Sequence, residues 1–111
     1  MVLENRFEFV SDSGNEKVIA VIGIEKQSDF DIANYFDTVF AFLKSSEFVK
    51  RITDIQIRDD MAVFALKNEL MFEESQSLYY LFLAEIIKCF FNNLRFTPKI
   101  VSAEVIKITE E

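Results

Sequence analysis

Seventeen residues near the end of the chain, LYYLFLAEIIKCFFNNL from Leu78 to Leu94, hold 13 apolar positions. The stretch carries Glu85 and Lys88 near its middle. It is also shorter than the roughly 20 apolar residues a membrane span takes. It therefore reads as a helix that other protein surface must bury. On a wheel of about 100° per residue, Glu85, Lys88, Asn92 and Arg95 occupy one sector of roughly 80°, and an apolar arc of about 200° faces them. Lying on one sheet uses an arc of somewhat over 100°. The surplus, at Tyr80, Ala84 and Phe91, needs a cover of its own. Three covers are open: a second helix on the same sheet, a homodimer or partner interface, and a ligand pocket between helix and sheet.

The rest of the chain supplies a sheet and a second helix. RFEFV, from Arg6 to Val10, alternates and reads as a half-buried strand. After the turn-forming SDSGNE, the run KVIAVIGIE is apolar on both faces, which suits a central strand. Gly23 inside that run marks a bulge or lets a helix approach closely. Ser28 offers an N-cap and Asp29 and Asp31 a first-turn charge, so the spacing of Ile32, Phe36, Val39, Phe40 and Leu43 predicts a helix over about 29–45. ITDIQIRDD and MAVFALK form a hairpin turning at Asp59 and Asp60. The apolar helix starts between 69 and 75 and runs to about Leu94, stopped by Thr97-Pro98. A last strand covers about 99–108.

The expected order is β-β-α-β-β-α-β in a single α+β domain over residues 1–111, with a mainly antiparallel sheet and two helices on one face. Without its first strand this is βαββαβ, the element order of ferredoxin-like folds. Such folds host many unrelated functions, so the order implies architecture and not activity. Six residues of this order, Phe36, Val39, Phe40, Phe82, Ile86 and Phe90, are the expected core between helices and sheet.

Chemistry is sparse. The chain has no histidine, which removes the commonest general base and transition-metal ligand. Its two glycines, Gly14 and Gly23, cannot build a phosphate-cradling loop. Cys89 stands alone and lies near the end of its helix, away from the N-terminus that would activate it, so a buried structural thiol is expected. The acid pairs lack the spacing of a calcium loop. No catalytic residue, cofactor or metal site is therefore expected.

Charge says more. The net charge is −7, from 19 acids and 12 bases. That disfavours nucleic acid and anionic membranes, both of which call for basic patches. One cysteine and a start, MVLENRFEF, without a basic-then-apolar leader pattern suggest a cytoplasmic protein. The element order puts the start of the first helix and the second hairpin turn at one end of the sheet, where Asp29, Asp31, Asp59 and Asp60 would attract a cationic surface. The expected function is an acidic binding module that neutralises a basic partner such as a toxin or nuclease, in the manner of an immunity protein, antitoxin or phage anti-defence protein. The alternatives are a homo-oligomeric adaptor using the apolar helix through Tyr80, Ala84 and Phe91, and a small-molecule sensor.

Overall fold

Alternation at the start of the chain produces the strand that ends up at the centre of the sheet. In the structure, a computed structural model that describes residues 2–11, 13–73 and 76–109, β1 runs Val2–Val10 and β2 runs Glu16–Glu25. Gly14, at φ 78°, turns the chain between them. The hairpin β3 (Arg51–Ile57) and β4 (Met61–Lys67) follows, and β5 (Ile100–Thr109) closes the sheet. The order across the sheet is β3-β4-β1-β2-β5. β1 pairs antiparallel with β2 and parallel with β4, and every other pairing is antiparallel. In a bare βαββαβ unit β2 and β4 would be neighbours; here β1 is wedged between them. Its inward residues explain this position: Leu3, Asn5, Phe7 and Phe9 are all fully buried, which only a strand flanked on both edges and covered by helices can achieve.

The helices cover that face of the sheet. α1 spans Ile32–Ser45, the single turn α2 spans Leu70–Glu73, and α3 spans Gln76–Asn93. Asp31 rather than Ser28 caps α1, accepting the Asn34 amide at 3.0 Å. Residues just before it form a turn closed by the Phe30 amide on the Gln27 carbonyl at 3.1 Å, and Phe30 packs between Tyr35 and Phe96. The inward stripe of α1 also differs from the expected one. Tyr35, Val39 and Leu43 are fully buried, Phe36 is half-buried, and Phe40 is 39% exposed. The expectation that Phe40 belongs to the core is thus corrected; Lys44 Nζ lies over its ring, 4.4 Å from the centroid.

Phe82 of α3 is the hub of the core. Its ring meets Phe7 at 5.5 Å, Phe9 at 5.3 Å, Phe42 at 6.1 Å and Phe48 at 5.6 Å between centroids. Ile86 and Phe90 are fully buried beside it, as their helical spacing predicts.

The other face of the sheet has no helix, yet Ile19 and Val21 are only 8% and 7% exposed there. Their strand neighbours are Glu8 and Arg6 on one side and Ile106 and Glu104 on the other. Long charged side chains lie over apolar surface in this way while their heads stay wet. Arg6 Nε meets Glu4 Oε1 at 2.7 Å, and Lys17 Nζ meets Glu8 Oε1 at 3.4 Å. Gly23 sits on this open face, so no helix crowds it. The pairing with β5 shifts register between Gly23 and Ile24, and a Cβ at Gly23 would lie 2.5 Å from Ser102 Oγ. The space a Cβ would take at Gly23 is filled by the side chains of Ser102, Val101 and Val2.

Candidate functional site

The chain direction places the end of β2, the start of α1 and the β3–β4 turn at one end of the molecule. Lys26 Nζ donates to the Asp59 carbonyl, tying the β2–α1 connection to that turn. The Asp60 carbonyl accepts the Glu4 amide at 2.9 Å, and the Arg58 amide closes the turn on the Met61 carbonyl at 2.7 Å. Asp29, Asp31, Asp59 and Asp60 are all exposed, although Asp31 already accepts its capping bond. Bases are interleaved with them: Lys26 and Arg58 belong to the same two connections, and Lys99 pairs with Glu25 at 3.0 Å. The Lys99 ammonium, by hydrogen bond and then by charge, holds the Glu25 carboxyl below its usual range. The end is a mixed-charge rim with an acidic excess.

The polar sector of α3 does not simply face bulk water. With α1 it forms the walls of a solvent-side recess of about 560 Å³, lined by residues including Asp37, Thr38, Glu85, Lys88, Cys89 and Asn92. Cys89 is half-buried rather than buried. Burial pushes its thiol up, the Asn93 amide 3.7 Å away partly opposing this, so the sulfur stays protonated and weakly nucleophilic at neutral pH. Among the described residues no group of three or more His, Cys, Asp or Glu is placed to hold a metal ion, and no helix is long and apolar enough to cross a membrane. The space between helices and sheet is filled by rings, with Phe7 stacked on Phe64 at 5.1 Å.

The remaining side of α3 is exposed, as are Leu81, Glu85, Lys88 and Asn92 in the polar sector. Cys89 Sγ lies 4.0 Å from the Thr38 carbonyl of α1, and the flank opposite carries Tyr80, Ala84 and Phe91 at the helical spacing i, i+4, i+11. Tyr80 is 59% and Phe91 54% exposed, and Ala84 is exposed between them. The first helix covers one flank of α3 and leaves this one open. α3 also touches β5, the outermost strand on that side, where Ile87, Leu94, Ile100 and Val105 are half-buried. The sequence points to the α3 flank through its wheel.

Two further features escape sequence reading: the buried pair Asn5–Tyr35 and the exposed length of β5. A polar residue in an alternating strand and a strand near the end of a chain carry no local sign of either role. Comparison with protein-family models, with curated proteins and with solved structures finds no match. The described residues form a five-stranded mixed sheet with helices on one face, of the α+β class, with a mixed-charge rim of acidic excess and an exposed apolar flank on α3.

Proposed function

We propose that the protein is a binding module that works by contact with another protein chain, and that the outer flank of α3 is its contact surface. The observation that carries this reading is the pair of rings at Tyr80 and Phe91, each more than half exposed on one side of a helix. Aromatic side chains concentrate at the centres of protein interfaces because they bury large areas at little conformational cost. In this chain the other large rings of α3, Tyr79, Phe82 and Phe90, are buried, so the flank is an exception within its own helix. A photo-crosslinking amino acid at position 91, with position 37 on α1 as the comparison, tests the reading. Adducts of discrete mass are expected from position 91 and not from 37; an absence at 91, or equal yields at both, rejects it.

A second reading is the neutraliser of a basic partner, supported by the tie between Lys26 and Asp59 that holds the acidic connections at one end. On either reading the single cysteine suits work in the reducing cytoplasm. Salt separates the two. Contact through the acidic rim weakens as salt screens it, whereas contact through the apolar flank does not.

A further inference from the structure

The two edges of the sheet are built differently. Edge strands expose unpaired backbone groups that recruit other strands, and monomeric proteins blunt them with bulges, charges and short lengths. Both edge strands carry a bulge, β5 at Val101 opposite the Gly23–Ile24 step, and two charges each; β3 differs in being the shorter and in being engaged by its own side chains. It has seven residues and a register shift between Ile52 and Asp54. Thr53 Oγ1 donates to the Ala65 carbonyl at 3.1 Å, and Asp54 Oδ1 takes the Ile55 amide at 2.9 Å. β5, at the other edge, has ten residues, and its only charges are Glu104 and Lys107. Val101, Ile106 and Ile108 are each at least 40% exposed along it.

This edge and the α3 flank lie on the same side of the molecule. Resting on the reading of that flank as a contact surface, we infer that the partner is a second copy of the chain, joined antiparallel along β5 so that two five-stranded sheets become one and the two α3 flanks meet above it. Height decides the occupant. A helix layer rides about 10 Å above its sheet, so a lone peptide strand added to β5 leaves Tyr80 and Phe91 uncovered. A partner must bring a strand at one level and an apolar helix at the other, and this chain does so under a two-fold axis. A ten-residue strand about 33 Å long under a stack about 20 Å thick gives a wall on the order of 650 Å². That approaches the roughly 800 Å² each partner contributes to a standard interface. The strip is neutral on a chain of net charge −7, so two copies repel least there.

Sedimentation of the full chain tests the inference. A species of twice the 13.0 kDa chain mass is expected. It tightens as ionic strength rises from about 10 mM to about 150 mM, where the screening length falls from about 30 to about 8 Å. Phe91→Glu and Ala103→Glu, both at exposed positions on the helix side, should each weaken it about a hundredfold or more by burying an unpaired charge, with unchanged circular dichroism. Ile57→Lys on the β3 edge should leave it intact. A monomer at several hundred micromolar overturns the second-copy inference; crosslinks from position 91 to a different protein would then leave the binding-module reading standing. A dimer indifferent to Ala103→Glu overturns the β5 pairing, and one abolished by Ile57→Lys places the contact on the wrong edge.

Discussion

The Tyr35 hydroxyl, carried on α1, donates to Asn5 Oδ1 in the middle of the central strand, and both residues are fully buried. Asn5 Nδ2 in turn donates to the Ile22 carbonyl at 3.1 Å and, more weakly, to the Leu3 carbonyl at 3.4 Å. The pair links helix layer, β1 and β2 at one point. A buried polar network with its partners in place favours one register over its neighbours, because a slipped strand would leave these groups unpaired.

Tyr35→Phe removes the donor and strands the Asn5 oxygen, at a cost of about 1–3 kcal/mol. Asn5→Leu strands the Tyr35 hydroxyl at a similar cost. The double replacement leaves neither group orphaned, so its loss should fall clearly short of the two single losses combined. Urea unfolding of the four proteins measures this coupling; strict additivity would mean the bond contributes nothing.

Burial pushes the Tyr35 hydroxyl far above its ordinary value of 10.0, the bond to Asn5 only partly opposing it. Below about pH 10 the group is neutral in both folded and unfolded chains, and its contribution to stability is constant. Above that value the unfolded chain releases a proton that the folded chain keeps, so stability falls by up to about 1.4 kcal/mol per pH unit. The advantage of the wild type over Tyr35→Phe should therefore be flat from pH 7 to 9 and shrink between pH 10 and 11. Denaturant midpoints at those pH values decide it.

Phe82→Ala empties the junction of four rings and should cost about 3–5 kcal/mol. Phe40→Ala, by contrast, removes a ring that is 39% exposed and should cost less than about half as much. Thermal unfolding ranks the pair, and equal losses would contradict the orientation of α1.

Asp59→Asn with Asp60→Asn tests the acidic rim. The turn holds through the backbone carbonyls of both residues, which accept from Lys26 and Glu4, so the fold should be unchanged. If the rim steers a basic protein, its association should slow severalfold at low salt and lose most of its salt dependence. Stopped-flow association across ionic strength is the measurement, and wild-type rates at low salt would reduce the rim to a solvated surface.

Local pattern alone determined the element order, the approximate strand and helix spans, and the surplus apolar arc of α3 at Tyr80, Ala84 and Phe91, but not what covers it. Those features follow from periods of 2 and 3.6 residues and from turn chemistry, which are written within a few positions of each other. Tertiary contact decided the rest. Whether β1 sits at an edge or in the centre depends on pairings 57 residues away along the chain, as between Phe7 and Phe64. The rotation of α1 that draws Tyr35 inward to Asn5 and leaves Phe40 outside is visible only once helix and sheet have met. β5 is legible as a strand from its own residues, but its long open edge is a property of the whole sheet, set by which strand the fold leaves last.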